Sequence, residues 1–155
     1  MASHGAIAES FRIALPDSVG ALSVSPADER IAVATLAGPV WMVDRVSGKL
    51  LRQTDGHTGG ALAAAFHPIH GTLVTAGEDG AIQWVNDEGS RQVRPATPRS
   101  AVSHLAWDPN GSVLVAATGR TLLAYDHDGR KLGQCSDFAS TILSLAYAEP
   151  LGGFL

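Results

Sequence analysis

The chain has 155 residues, of which 45% are apolar and 17% charged, with 17 glycines and 8 prolines. That composition excludes a disordered or coiled-coil chain and favours short strands joined by many turns. A formal net charge of −4, with Lys and Arg scattered along the chain, leaves no cationic footprint for the phosphate backbone of nucleic acid.

The opening segment "MASHGAIAESFRIALP" has no basic start and no apolar stretch of signal-peptide length. No run approaches the ~18 apolar residues that a membrane span needs. The single cysteine, Cys135, cannot close an intramolecular disulfide, which suits a reducing compartment and predicts a buried or idle thiol. A cytoplasmic protein without a membrane segment is the expectation. Residues 9–15, "ESFRIAL", read as a lone strand.

From there the chain repeats itself. Aligning "ALSVSPADERIAVAT", "AAAFHPIHGTLVTAG", "HLAWDPNGSVLVAAT" and "SLAYAEPLGGFL" superposes Pro26, Pro68, Pro109 and Pro150, spaced by 42, 41 and 41 residues. Each copy begins with an apolar run ending in Val24, Phe66, Trp107 or Tyr147, followed by a turn that contains the proline. A second run follows: "RIAVAT", "TLVTAG" or "VLVAAT". The third is "PVWMVD", "AIQWVN" or "TLLAYD" and ends in a turn on Gly48, Gly89 or Gly129, where glycine supplies the positive φ a tight turn requires. The fourth, "KLLRQ", "SRQVR" or "RKLGQ", is more polar, as an outer strand facing water should be. Short Val-, Leu- and Ile-rich runs bounded by Pro, Asn, Asp and Gly are strand signals, and four strands in ~40 residues is the size of one propeller blade.

These residues resemble the WD-repeat β-propeller family. The second copy carries the resemblance best, with Gly56-His57 before its first strand, "AFHP" closing that strand and "TAGEDG" from Thr75 to Gly80. The resemblance implies that His57, Thr75 and Asp79 tie the blade together by hydrogen bonds. The family's terminal Trp-Asp pair falls on Val43-Asp44, Val85-Asn86 and Tyr125-Asp126, with Trp84 one position early and Trp41 two. Side chains alternate between the faces of a strand, so these tryptophans need not point where the family's does.

The expected fold is therefore all-β, a partial β-propeller of four-stranded antiparallel blades forming a single incomplete domain over residues 1–155. Blade 1 spans about 18–54, blade 2 about 56–95, blade 3 about 100–135 and the start of blade 4 about 140–155, with 142–147 as its first strand and 9–15 as a candidate closing strand. Four strands ~17 Å long at ~4.8 Å spacing give a blade face of roughly 320 Å². Leaving it open withholds about 8 kcal/mol at ~25 cal/mol per Å². The chain is accordingly expected to be an N-terminal fragment of a longer propeller, or else to self-associate through its open blade edges.

Candidate chemistry is thin. His67 and His70 in "HPIH" sit in a turn without a Cys or carboxylate cluster, whereas zinc needs three or four ligands in tetrahedral array; they read as solvent-exposed turn histidines. His104 reads as a satisfied residue of a strand. No "GxSxG" elbow supports a nucleophile. "DHDG" at 126–129 reads as an ordinary turn rather than a calcium loop, and neither "HTGG" nor "GEDG" leads from a strand into a helix as a phosphate cradle does. No catalytic, cofactor-binding or metal-binding residue is expected, and no cofactor. Loops held by a rigid scaffold are where binding concentrates, which nominates Leu36, His57, Thr58, Glu78, Asp79 and Arg120 as a binding face. The expected function is a non-catalytic scaffold for contact with other proteins. The alternative is a propeller-based enzyme or small-molecule binder whose site lies in the central channel or in further blades.

Overall fold

The computed structural model describes residues 11–26, 29–86, 88–89, 91–95 and 100–155. Three four-stranded antiparallel sheets follow one another along the chain, each a meander in sequence order. Sheet 1 contains β1 (Val19–Val24), β2 (Arg30–Thr35), β3 (Val40–Asp44) and β4 (Leu50–Thr54). Sheet 2 contains β5 (Ala61–Phe66), β6 (Leu73–Gly77), β7 (Ala81–Val85) and β8 (Arg91–Pro95). Sheet 3 contains β9 (His104–Trp107), β10 (Leu114–Thr118), β11 (Thr121–Tyr125) and β12 (Lys131–Cys135). The protein is all-β, a partial propeller of four-stranded blades.

Local sequence sets these elements. The turns leading into the fourth strands carry Gly48, Gly89 and Gly129 at φ of +70°, +84° and +77°, a region in which a Cβ is strained. Register shifts between Val19 and Ala21 and between Ala61 and Ala63 place a bulge near the start of β1 and of β5. In β5 the bulge flips the strand's faces: Ala61 packs with one core and Ala63 with the other.

The sheets stack face to face. Between sheets 1 and 2 the core is Ala32, Ala34 and Val40 against Ala61, Phe66, Leu73 and Val85. Between sheets 2 and 3 it is Ala63, Val74, Ala76, Ile82 and Trp84 against Val102, Leu114, Ala116, Leu123 and Tyr125. Sheet 2 is thus covered on both faces, and every residue of β6 and β7 is buried. That is why "LVTAG" and "AIQWV" read as near-continuous apolar runs rather than as alternation. Strand β4 and strand β12 are mostly exposed. The far face of sheet 1 is open along β1, where Leu22 and Val24 are 63% and 53% exposed.

Two elements differ from the sequence expectation. In place of a strand over 142–147, a short hairpin pairs β13 (Tyr147–Ala148) with β14 (Gly153–Phe154) around a 3-10 turn at Glu149–Leu151. Ala146 and Leu155 extend its ladder with backbone bonds of 2.9 and 2.8 Å, but residues 141–146 are not assigned to a strand. An apolar run becomes a strand only where a second backbone takes its hydrogen bonds. The same applies to the expected strand at 9–15: residues 9–10 lie outside the described residues, and 11–15 are not in a sheet although their burial alternates. Phe11 instead packs at the Gly48 turn.

Candidate functional site

Antiparallel meanders place the second-to-third-strand turns and the connections between sheets at one end of the stack. In sheet 2 that end is organised around His57, whose side chain is fully buried. Its Nδ1 lies 2.9 Å from Asp79 Oδ1 and its Nε2 lies 3.0 Å from Thr75 Oγ1. A carboxylate only accepts, so Nδ1 carries the proton, and in the neutral ring Nε2 accepts from the Thr75 hydroxyl. Asp79 also accepts the backbone N–H of Thr58 at 3.2 Å and of Ala81 at 3.0 Å. Burial by itself raises the Asp79 carboxyl, but the hydrogen bonds from His57, Ala81 and Thr58 outweigh it and hold the group below its ordinary value. The backbone N–H of His57 donates to Gly38 of sheet 1 at 3.1 Å.

Tight contacts gather the candidate surface around this triad. A Cβ on Gly59 would come within 2.7 Å of Glu78 Oε2, and one on Gly60 within 3.3 Å of the Leu36 carbonyl oxygen and 3.5 Å of Glu78 Cδ. Leu36, Thr58 and Glu78 are therefore neighbours at the junction of sheets 1 and 2, and all three are exposed. Arg120 occupies the corresponding turn of sheet 3 and is exposed. Its Nε donates to the Phe138 carbonyl and its own carbonyl accepts from Phe138 N at 3.3 Å, binding the turn to the segment after β12.

Strand register decides the fate of the tryptophans. Thr75 lies opposite Gln83, and Trp84 lies opposite Val74, so Trp84 leaves from the face away from the triad. It packs edge-on against Tyr125 of sheet 3 at 5.7 Å, and its Nε1 is buried without a hydrogen-bond partner among the described residues. On the triad's side Gln83 donates to the Gly56 carbonyl at 2.5 Å. In register, Thr75 corresponds to Val33 of sheet 1 and Ala116 of sheet 3, neither of which has a hydroxyl.

At the opposite end, His67 is buried at 3% exposure, not solvent-exposed as its turn position suggested. The first turn of sheet 3 folds over it, and His67 Nε2 meets the Gly111 carbonyl at 3.0 Å. His70 remains exposed. His104, the first residue of β9, is half-buried with Nδ1 2.8 Å from Ser103 Oγ. Asp126 accepts the N–H of Asp128 and Arg130 at 3.1 and 2.8 Å, which makes "DHDG" a turn. No group of three or more His, Cys, Asp or Glu among the described residues is arranged to hold a metal. Cys135 is a free and exposed thiol rather than a buried one. Among the described residues no helix is long and apolar enough to cross a membrane.

Several contacts between sheets were missed by sequence reasoning: Arg30 to Gly71 at 3.2 Å, Ser23 Oγ accepting Phe66 N at 3.0 Å, and His67 to Gly111. Their partners lie 41 to 44 positions apart, one repeat length, and that equality is the signal that could have found them.

Comparison with known proteins gives the same reading of the repeat. Residues 48–84 and 92–132 match the family model described as WD domain, G-beta repeat. Protein Rae1 of Drosophila melanogaster is 36% identical over 56 residues, which is 36% of this chain and 16% of that protein. The "Activating molecule in BECN1-regulated autophagy protein 1A" of Danio rerio is 26% identical over 153 residues, 95% of this chain and 12% of that protein. The chain spans only a small part of the length of either relative.

Proposed function

The chain belongs to the WD-repeat family, and from that premise we propose that it is a non-catalytic scaffold that binds other proteins through the loops around Leu36, Thr58, Glu78 and Asp79. The observation that carries this reading is the contrast at that end of sheet 2. A fully buried His57, tied to Asp79 at 2.9 Å and Thr75 at 3.0 Å, immobilises a turn whose neighbours Leu36, Thr58 and Glu78 are exposed. A surface held by a rigid frame binds without the entropy cost of first ordering itself.

The fragment reading belongs to the same proposal: the open apolar face along β1 is the place for a further blade of a longer propeller. A cytoplasmic location is proposed on the same footing as in the sequence, from the lone Cys135.

The test is affinity capture with the wild-type chain beside the double variant Leu36→Glu, Glu78→Lys, which alters exposed atoms and leaves the triad alone. A partner set captured by the wild type and lost with the variant supports the proposal. An identical set on both, or none on either, refutes the assignment of this face.

A further inference from the structure

At the proline-turn end, neighbouring blades are joined by side-chain hydrogen bonds of different chemistry at the two junctions. Between blades 1 and 2, Arg30 donates to the Gly71 carbonyl at 3.2 Å, with its guanidinium 5.7 Å from the centre of the Phe66 ring. Between blades 2 and 3, His67 Nε2 faces the Gly111 carbonyl at 3.0 Å. Both acceptors lie in the first-to-second-strand turn of the following blade. Arginine keeps its charge at any pH a folded protein meets. Imidazole changes charge near neutrality.

His67 uses both ring nitrogens. A carbonyl oxygen only accepts, so Nε2 carries the proton. Nδ1 then accepts the backbone N–H groups of Ile69 and His70, each at 3.1 Å. This is the one arrangement that satisfies all four groups, and it is the neutral tautomer. A second proton has to enter at Nδ1, where two N–H donors already point. The ring lies between His70, stacked at 4.7 Å, and Trp107, edge-on at 4.8 Å. Gly111 permits the approach because a Cβ there would come within 2.2 Å of the imidazole.

The charged and titratable groups facing His67 are His70 on its own turn, Asp108 on the turn after β9 and His127 on the turn after β11, the last paired with Asp128 at 3.3 Å. Arg30 approaches the same turn from sheet 1 through Gly71. Burial is the largest influence and lowers the His67 value, and His70 and His127 act in the same direction; the Gly111 bond and Asp108 oppose them.

We propose that His67 is a proton-operated latch on the 67–72 turn: neutral, its Nδ1 pins the Ile69 and His70 amides, and protonation at Nδ1 turns both donors away and frees the turn, with the Gly71 carbonyl that Arg30 of blade 1 holds, while Nε2–H goes on donating to Gly111 of blade 3. With the folded value lowered, the latch is fully closed above the ordinary histidine value of 6.5 and opens as pH falls from there through the folded value.

The test follows the histidine ring signals by NMR, together with residue-resolved hydrogen exchange of the whole chain, from pH 7.5 to 5. We expect His67 to titrate below the ordinary histidine value. With the same midpoint, the amides of Ile69 and His70 should exchange about tenfold faster or more after correction for intrinsic rates, while those of residues 111–114 stay unchanged. The variant His67→Asn keeps an acceptor for the Ile69 and His70 amides but does not titrate, so their exchange stays slow throughout and the pH step vanishes. An ordinary titration of His67, an acceleration spread evenly over the three blades, or a pH step that survives in His67→Asn would each overturn the proposal. If His67→Asn does not fold, the wild-type titration and exchange decide alone.

Discussion

Replacing Asp79 with alanine asks whether the His57 ring is held by a carboxylate or merely by packing. The carboxylate accepts from His57 Nδ1 at 2.9 Å, Ala81 N at 3.0 Å and Thr58 N at 3.2 Å. Thr58 is exposed, so its N–H regains water at little cost. His57 is not: its side chain is fully buried, and the proton on Nδ1 is left without an acceptor. A buried donor stranded in this way costs about 1–3 kcal/mol. Adding the loss at Ala81, Asp79→Ala should lower unfolding free energy by about 2–3 kcal/mol, a large share of the ~5–15 kcal/mol typical of a domain. Urea unfolding followed by tryptophan fluorescence measures this, with Asp126→Ala as the control. Asp126 also accepts two turn amides, at 3.1 and 2.8 Å, but both bonds are exposed, so its removal should cost about 1 kcal/mol or less. Equal shifts for the two variants, or a loss below about 0.5 kcal/mol for Asp79→Ala, would show that the triad does not hold the blade. Asp79 adds a pH signature. Its folded value is lowered from 3.8, so its contribution is complete above that pH and is lost as pH falls from there through the folded value. Asp79→Ala should flatten the acid limb of the wild-type stability curve in that window.

Further expectations concern packing and exposure. Gly77→Ala places a Cβ 2.6 Å from the His57 ring and 2.5 Å from the Gly60 carbonyl oxygen, and should destabilise by about 1–3 kcal/mol through forced displacement of both; a urea midpoint unchanged from wild type would contradict that geometry. Leu114→Ala, in the fully buried core between blades 2 and 3, should cost about 2–5 kcal/mol, whereas Leu143→Ala at 82% exposure should stay within about 0.5 kcal/mol of wild type. Cys135 should react with a thiol reagent in the native protein as fast as in urea, since it is exposed; strong protection before unfolding would place it elsewhere.

The repeat was legible because its causes are local. Short apolar runs, a proline turn and a positive-φ glycine act within a few positions, and their recurrence every 41 or 42 residues fixed both the all-β class and the order of strands inside each sheet. His57, Thr75 and Asp79 could be nominated because residues of one repeat meet within one blade. Contacts across blades were not legible in this way. Whether a proline-turn histidine is wet or buried depends on a turn 44 positions later closing over it. The face taken by Trp84 depends on which residue it opposes, a matter of register. Residues 11–15 and 141–146 carry strand-like sequence, yet the structure assigns neither to a strand, because strand formation needs a second backbone and sequence supplies only one. The sequence by itself determined the periodic unit, through short apolar runs punctuated by proline and glycine turns at one spacing. Tertiary structure alone decided which exposed loops became neighbours and which polar groups were buried, because those depend on how one unit packs against the next.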